Sequence, residues 1–405
     1  MRVDKYIMHT MNKRNVINTI RTQGPINKSE IAKRIGLSIP TVLKITDEFI
    51  ENKLIRVNGK GESKGGKRPD LLEFVNDAYY IVGVDIGRNK IKVIVSDLNG
   101  NEISKRIIVT GADVTPEKTI HRIITLIDET IDDSEIDRSK FLGLGIGMPG
   151  LLDIEKGIVI FSPTFHWENV NLLEPIKKHF PMYITLENSN KTQAMGEKWF
   201  GIGVETDYFI SVNLGHGIGS AIVEAGELYS SSCGTNGEFG HITLEKDGPR
   251  CDCGNYGCLE ALASGNAITK QAKELIQSGN AEYLSKLVDG NIDDIDAKIV
   301  FDAAKQGDIV SEGIINSAIE YIGIGLASYI NLLDPDTVIL SGGLTNAGNI
   351  LVDGLKEVVE KRRMRYAGRK VKVCVAELGD DGTALGASTL VLKAFIEQGG
   401  NPELV

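Results

Sequence analysis

The sequence predicts a mainly α N-terminal winged helix-turn-helix domain followed by an α/β body with two lobes. Three observations support this: two capped helical segments separated by a short turn, a change to strand-rich sequence at Tyr79, and a repeated strand, glycine turn and strand design in the body. At 405 residues the chain fits two or three domains. We place the winged helix at residues 1–78 and the body at 79–405, with one lobe of 79–187 plus the C-terminal helix and another of 188–385.

The first two helices have clear ends in the sequence. Residues 12–22 carry apolar side chains at helical spacing, and the segment stops at the Gln-Gly-Pro turn of residues 23–25. Asn27 followed by Glu30 has the form of a capping box, which begins a second helix that stops at Gly36. These segments are the expected first two helices of a three-helix core.

A third helix is predicted to begin after Ser38, a good N-cap residue, with Val42, Ile45 and Phe49 as its inward stripe. The short turn before it gives the second and third helices the form of a helix-turn-helix, in which the later helix enters the major groove of DNA. We therefore predict that three outward residues contact operator DNA, namely Ser38, Thr41 and Lys44.

A wing is predicted next. Two short apolar segments, 54–57 and 71–74, flank a basic, glycine-rich stretch at 58–69. Such a hairpin brings cations to phosphates or to a minor groove, and its glycines permit close backbone approach. The predicted wing contacts are Lys64, Lys67 and Arg68. Because domains of this kind usually bind two half-sites as dimers, we also predict a homodimer or higher homo-oligomer.

Charge is divided unevenly along the chain. Residues 1–75 contain 15 Lys and Arg against 8 Asp and Glu, a net charge of +7, whereas the rest contains 30 against 47, a net charge of −17. A basic segment on an acidic body indicates a polyanionic partner. The alternative is a three-helix interaction module with a solvated basic loop, but the capped helices, the wing and the charge together favour DNA.

The sequence predicts a cytoplasmic protein with no membrane partner. Its first fifteen residues are polar, and we find no run of 18 or more apolar residues.

The body begins with two similar hairpins. Residues 80–100 form apolar runs around Asp85 and Gly87, and residues 208–224 repeat the design around a Gly-His-Gly turn. Two copies indicate an internal duplication whose glycine turns cradle phosphate in one cleft, with chance similarity as the alternative. The remaining predicted elements are a long apolar helix at 315–333, a buried strand within 334–343 and a final helix that begins within 379–386.

Three of the five cysteines lie close together, after a histidine. One His and three Cys are the usual ligands of a closed structural zinc site, and the spacing Cys-x-Cys-Gly-x-x-Gly-Cys places three of them on one glycine-bent loop. The alternative is a set of unrelated buried thiols. We predict one structural zinc ion per chain, bound by His241, Cys251, Cys253 and Cys258.

From Tyr79 to its end, the chain resembles the ROK family (repressors, open reading frames, kinases), a branch of the actin-like sugar-kinase fold. The resemblance rests on the glycine hairpins, the 379–386 segment and the Glu-x-Gly-His motif with its cysteine loop. The fused winged helix resembles that of the family's repressors, among which the bacterial xylose repressors are most similar. This resemblance implies an actin-like/sugar-kinase-like two-lobed body.

The resemblance also implies a sugar site. In the family, the Glu and His of the Glu-x-Gly-His motif, the Glu after the last Cys, and an Asn before the general base bind sugar hydroxyls. They correspond here to Glu238, His241, Glu260 and Asn188. If zinc takes one ring nitrogen of His241, the other carries the proton and becomes a fixed donor. For any single carboxylate, a solvated surface residue is the alternative.

The same resemblance implies that kinase chemistry is lost. The kinases have an Asp general base where this chain has Ser189, whose hydroxyl is too weakly basic to deprotonate a sugar alcohol near neutral pH. Their phosphate hairpins contain D-x-G-G-T and G-T-G, whereas Arg88 and Asn89 replace the Gly and Thr of the first, and His216 replaces the Thr of the second. We predict no catalytic residues and no enzyme activity.

The favoured function is a repressor of sugar-utilisation genes that a small-molecule aldose releases from operator DNA, with xylose before glucose. One alternative is a ROK sugar kinase with a regulatory DNA-binding domain. Another is a constitutive repressor or scaffold that binds no sugar. Sugar-dependent ATP turnover and sugar-dependent DNA binding discriminate among the three.

Overall fold

Two units divide the chain of the computed structural model, which describes residues 5–62, 68–111, 115–229, 236–365 and 371–402. One unit comprises residues 1–192 and 384–405, and the other comprises residues 193–383. The chain passes from one unit to the other within two helices, α6 (Ser189–Phe200) and α13 (Gly382–Glu397). The predicted winged-helix boundary at 78/79 and the lobe boundaries at 187/188 and 385 stay predictions.

The N-terminal part of the first unit is a three-helix core with a small antiparallel sheet. Strands β2 and β3 pair as the predicted hairpin, and β1 adds on the other side of β3. Strand β1 was not predicted because it is too short to show alternation of polar and apolar residues. The elements are α1 (Lys5–Gln23), β1 (Ile26–Asn27), α2 (Lys28–Ile35), α3 (Ile39–Glu51), β2 (Ile55–Lys60) and β3 (Asp70–Phe74).

Helix α1 begins seven residues before the predicted start at residue 12. The apolar residues on which the prediction relied, Val16, Ile17 and Ile20, are fully buried. Apolar residues of the added turns, such as Tyr6 and Met8, are exposed. Because these turns bury no regular apolar face, periodicity did not reveal them.

A five-stranded sheet in the order β11-β7-β4-β5-β6 forms the body part of this unit, beside a smaller sheet in the order β10-β9-β8. Helix α4 packs on one face of the large sheet, where Ile123 and Ile127 are fully buried. The elements are β4 (Tyr80–Ile86), β5 (Lys90–Asp97), β6 (Glu102–Val109), α4 (Pro116–Asp133), β7 (Phe141–Met148), β8 (Leu151–Asp153), β9 (Ile158–Ser162), β10 (Trp167–Asn171), α5 (Leu173–His179) and β11 (Tyr183–Asn188).

Helix α13 approaches the large sheet very closely. A Cβ atom at Gly83 would lie 2.0 Å from the carbonyl oxygen of Ala384, and one at Gly145 would lie 1.9 Å from that of Ala387. Only glycine in β4 and β7 permits this approach.

The same helix also reaches the winged-helix core. After α13 ends, Gly399 and Gly400 are buried with φ values of 72° and 73°. A Cβ atom at Gly400 would lie 3.0 Å from Ile17 Cδ1 and 3.1 Å from Leu54 Cδ1. The residues just after the C-terminal helix therefore pack against α1 and the end of α3.

The second unit contains a five-stranded sheet in the order β14-β13-β12-β15-β16. Its core is formed by this sheet and by helices that include α10, α11 and α12. The elements are β12 (Phe209–Leu214), β13 (Ile218–Glu224), β14 (Glu227–Leu228), α7 (Leu259–Ala263), α8 (Gly265–Gln277), α9 (Glu282–Leu287), α10 (Ala297–Lys305), α11 (Ile309–Leu333), β15 (Thr337–Ser341), α12 (Asn349–Arg362) and β16 (Lys372–Val375).

The two large sheets have the same topology. In each, the first two strands form an antiparallel hairpin, the third extends it at the edge, and the last two add in parallel on the other side of the first strand. The hairpins recognised in the sequence are β4–β5 and β12–β13, which occupy equivalent places. The structure therefore confirms the internal duplication.

Helix α11 is long and apolar enough to cross a membrane by length and composition. In the structure it is a core helix of the second unit, where Ile315, Ile322 and Leu326 are almost completely buried.

Candidate DNA interface, metal centre and sugar site

The helix-turn-helix forms where the sequence predicted it. The side chain of Asn27 accepts a hydrogen bond from the backbone N–H of Glu30 at 2.9 Å and caps α2. Gly36 ends α2 in the left-handed conformation, with φ at 69°, and its N–H donates to the carbonyl of Ala32. Ser38 then caps α3 by accepting from the N–H of Thr41 at 3.3 Å. Local capping therefore fixes the turn between the two helices.

Three of the predicted DNA contacts lie on or beside α3. Ser38 and Lys44 are exposed, and Thr41 is half-buried. The hydroxyl oxygens of Ser38 and Thr41 lie 2.8 Å apart and form a hydrogen bond, so both side chains are already engaged at the helix start.

The wing carries the other predicted contacts. Arg68 is exposed just before β3, whereas Lys64 and Lys67 lie outside the described residues. At the base of the wing, Arg56 pairs with Glu73 at 3.0 Å, and Lys60 pairs with Asp70. Acids of the neighbouring strand balance these two cations, which reduces their attraction for a polyanion.

The four predicted metal ligands come together in the second unit. Their donor atoms all lie within 4.8 Å of one another. His241 Nδ1 lies 3.6 Å from Cys251 Sγ, and Cys253 Sγ lies 3.7 Å from Cys258 Sγ. Donor atoms bound to one tetrahedral zinc ion lie roughly 3.5–3.8 Å apart, given its bond lengths. The cluster therefore fits zinc in donor type, donor number and spacing.

Backbone hydrogen bonds shape the cysteine loop. The N–H of Cys251 donates to the carbonyl of Asn255 at 2.8 Å, and the N–H of Gly254 donates back to the carbonyl of Cys251 at 2.9 Å. Gly257 has φ at 64°, and a Cβ atom there would lie 1.6 Å from the carbonyl oxygen of Glu245. A side chain at this position would force the loop open, so the glycine is required to bring Cys258 back to the other ligands.

Burial raises the pKa of the Cys251 thiol to about 12 and also raises the pKa of Cys258. Without a metal ion, both thiols are therefore protonated near neutral pH. A bound cation displaces these protons, because thiolate is the form that ligates metal.

The imidazole of His241 faces two different partners. Its Nδ1 points to the thiols, and its Nε2 lies 3.8 Å from Glu238 Oε2. The short helical turn Phe239–His241 holds the two residues, and Glu238 is exposed. One ring nitrogen is therefore available to the metal cluster and the other to a polar group beside Glu238.

Glu260 connects the cysteine loop to the second glycine hairpin. It follows Cys258 by two residues, and its Oε2 accepts a hydrogen bond from the N–H of Ile218 at 2.8 Å. The turn before Ile218 is also closed by α8, because the N–H of Gly265 donates to the carbonyl of Gly215 at 2.8 Å. One carboxylate oxygen of Glu260 is thus committed to the backbone.

Asn188 ends β11 in the other unit. Its Nδ2 donates to the carbonyl of Gly150 at 3.0 Å, and its Oδ1 accepts from the N–H of Asn190 at 2.9 Å. The amide is therefore held in one orientation at the start of α6. The structure thus places the predicted sugar ligands in two units, and their joint binding of one sugar stays a prediction.

Ser189 begins α6 directly after Asn188. Among the described residues, no carboxylate or imidazole forms a hydrogen bond with its hydroxyl. The serine therefore has no base that would activate it.

The turn of the first hairpin carries Arg88, whose side chain is exposed. A hydrogen bond from Thr110 Oγ1 to the carbonyl of Gly87 at 2.7 Å fixes the backbone of this turn.

Comparisons with known proteins match both parts of the chain. The model of the ROK family matches residues 81–394, and the model described as winged helix-turn-helix DNA-binding matches residues 12–56.

Individual relatives include repressors and kinases. The xylose repressor of Caldicellulosiruptor bescii is 31% identical over 391 residues, which cover 96% of this chain and 97% of that protein. The glucokinase of Thermotoga maritima is 35% identical over 312 residues, which cover 77% of this chain and 96% of that protein. A solved structure of a ROK family transcriptional regulator, a homologue of the Escherichia coli MLC protein, is 25% identical with a TM-score of 0.82 and covers 97% of this chain and 98% of its own.

Proposed function

Because the chain belongs to the ROK family and also carries a winged helix-turn-helix domain, we propose that it is a sugar-responsive transcriptional repressor that an aldose releases from operator DNA. The observation that carries this proposal is the similarity to a xylose repressor over 96% of the chain, which includes both the DNA-binding part and the body. Xylose is the favoured effector and glucose the second, because several of the repressor relatives are xylose repressors, although others are N-acetylglucosamine repressors. A protein that binds operator DNA acts in the cytoplasm, as a homodimer where its operator has two half-sites.

Zinc is the metal that we propose for the cluster of one His and three Cys. The spacing of the donor atoms supports a single ion per chain with a structural role, since all four positions are filled by protein. When bound at Nδ1 of His241, the ion supplies a fixed tautomer, which leaves the proton on Nε2.

Sugar hydroxyls are the proposed partners of Glu238, His241, Glu260 and Asn188. The exposed carboxylate of Glu238 accepts hydroxyl protons, and the Nε2–H of His241 donates a hydrogen bond. The free oxygen of Glu260 and the oriented amide of Asn188 complete the set. Selectivity between xylose and glucose must come from other residues, because these four groups suit any pyranose.

The proposed repressor is not an enzyme. Ser189 takes the place of the kinase base and has no activating partner among the described residues, and Arg88 takes the place of a phosphate-binding glycine. The alternative, a sugar kinase with a regulatory DNA-binding domain, is favoured by the 35% identity to a glucokinase over 77% of the chain.

Sugar-dependent release of DNA tests the proposal. The full chain is used to select a duplex from a random library, and its affinity is then measured in a panel of aldoses that includes xylose and glucose. We expect at least one sugar to bind in isothermal titration and to weaken DNA binding at saturation. Glu238→Gln should weaken sugar binding by about 10- to 100-fold, because it removes hydrogen bonds to a charged group. The control is Glu312→Gln, at an exposed position in the first turn of α11.

Two other outcomes would contradict the proposal. If a sugar binds and DNA affinity stays unchanged, or rises, the protein is not released by that effector. If the purified chain shows robust sugar-dependent ATP turnover that Asn188→Ala abolishes, the kinase alternative is correct.

A further inference from the structure

The outward face of α3 carries two apolar side chains that packing does not require. Ile39 is 54% exposed and Leu43 is 44% exposed. They lie four residues apart, so they are neighbours on one side of the helix. The core side of α3 is already filled by Val42, Ile45 and Phe49, each at most 1% exposed. The helix therefore presents a second apolar stripe to its surroundings.

The polar residues near this stripe are partly engaged in holding the fold. The hydroxyls of Ser38 and Thr41 form a hydrogen bond with each other, and the hydroxyl of Ser38 also caps the helix. Asp47 accepts a hydrogen bond from Lys28 of α2 at 3.0 Å. The side chains of Ile39 and Leu43 are hydrocarbon and form no hydrogen bonds, so their exposed surface is available for apolar contact.

The basic domain around α3 favours DNA as the occupant of this face, although the helix itself carries one Lys against three acids. The first turn contains no acidic residue, and the exposed acids Asp47 and Glu51 lie in the second half. Helix-turn-helix domains place the N-terminal residues of this helix against base edges. The surrounding residues 1–75 carry a net charge of +7, which suits a polyanion rather than an apolar protein surface or a neutral lipid.

We propose that Ile39 and Leu43 contact thymine 5-methyl groups in the major groove, an inference that rests on the proposed binding of operator DNA. The thymine methyl is the apolar group that a base pair presents in this groove, and aliphatic side chains bind it by excluding water. Four helical residues rise about 6 Å. Because a helix in the major groove lies at an angle to the DNA axis, the two side chains reach neighbouring base pairs. Each half-site therefore contains thymines at two nearby positions.

Deoxyuridine tests the inference, because it removes the methyl and keeps every hydrogen-bonding group of thymine. The duplex selected with the full wild-type chain is resynthesised with deoxyuridine at single thymine positions of the half-sites. Removal of a contacted methyl should weaken wild-type binding by about fourfold, the effect of losing one buried methyl-sized group. Ile39→Ala and Leu43→Ala should weaken binding to the thymine duplex, each at its own position. Each variant should then show no further loss when deoxyuridine replaces the thymine that its side chain contacted.

Controls separate this contact from loss of folding and from self-association. Leu332→Ala removes an apolar side chain that is 80% exposed in α11 and should leave both duplexes unaffected. Circular dichroism should show unchanged helix content in the α3 variants, and Ile39→Val should retain most of the methyl effect.

Several results would overturn the inference. One is equal wild-type affinity for the thymine and deoxyuridine duplexes. A second is an equal loss of affinity for both duplexes in the alanine variants. A third is a changed sedimentation coefficient of these variants, which would assign the apolar stripe to a contact between protein chains. If the wild-type chain selects no duplex, the proposed DNA-binding function itself fails, and the two failures are thereby distinguished.

Discussion

His241 is the residue at which the metal cluster and the proposed sugar site meet. Its Nδ1 lies 3.6 Å from Cys251 Sγ and its Nε2 lies 3.8 Å from Glu238 Oε2. An imidazole whose first nitrogen is bound to metal has only one way to carry its proton. Metal binding and sugar binding are therefore expected to be coupled through one ring, even though the cysteines themselves make no proposed contact with sugar.

Loss of the metal should reduce both stability and sugar response. We expect elemental analysis to find about one zinc ion per chain, and Cys253→Ser to lower metal content and weaken sugar binding by about 10- to 100-fold. The thermal midpoint should fall as well, because the loop between Cys251 and Cys258 loses its cross-link. Cys374→Ser is the matched control, since Cys374 lies in β16 outside the cluster. A metal-free protein with full sugar response would contradict the coupling.

Single residues also show where sequence reasoning stops. The metal ligands were predictable because soft donors at fixed spacing are rare outside metal sites. Glu197 was not predicted, yet it is fully buried and accepts backbone hydrogen bonds from Ile202, Glu377 and Leu378 at 3.0–3.1 Å. A glutamate within a polar helix usually indicates a solvated position, and only the fold brings residues 377 and 378 to it.

Among the elements, those with local signals were predicted and those with long-range causes were not. Helices α2 and α3 have capping residues that lie within four residues of the backbone N–H they bind, so the caps can be recognised in the sequence. Both hairpins have glycine turns. The segments that form β8, β9 and β10 have no such local signal, and they become strands by pairing with one another in a small sheet. The start of α3 was predicted, but its exposed Ile39 and Leu43 were not, because apolar residues are normally assigned to the core.

Helix α13 is the element that links the body sheet to the winged helix within one unit. Gly400→Ala should place a Cβ atom 3.0 Å from Ile17 Cδ1 at a residue with φ of 73°. We expect the free energy of unfolding to fall by about 1–3 kcal/mol, because the substitution adds backbone strain and overpacks the contact. Because the contact is local, hydrogen exchange should accelerate in α1 and α3.

Gly290→Ala is the matched control for this substitution. Gly290 has a similar φ of 77°, but a Cβ atom there meets nothing within 4 Å. The Gly290→Ala variant should therefore lose stability through backbone strain, but amide hydrogen exchange in α1 and α3 should not become faster. Equal exchange in the two variants would show that the end of α13 does not support the winged helix.

At the scale of the whole molecule, sugar response requires a difference in affinity. A sugar releases DNA only if it binds the DNA-free state more tightly than the DNA-bound state, and a shift from 1:99 to 99:1 needs a ratio of about 10⁴. The duplicated body and its DNA-binding part were predictable from repeats and charge. The direction of this coupling was not, because it depends on the difference between two states and a sequence pattern reports neither.

The division of charge gives the last prediction. Contacts between cations and phosphates release counterions, so the logarithm of affinity should fall with the logarithm of salt by about 0.9 per contact. The acidic body, with a net charge of −17 beyond residue 75, contributes little to this slope, because charges further than about 8 Å are screened at physiological salt. Arg68→Ala should therefore reduce the slope by about one unit, and Lys64→Ala and Lys67→Ala should each do the same. Arg138→Ala, which removes a body cation paired with Asp128 and Asp132, should leave the slope unchanged. Titrations of the selected duplex at several salt concentrations measure this, and an unchanged slope for Arg68→Ala would exclude that residue from the DNA interface.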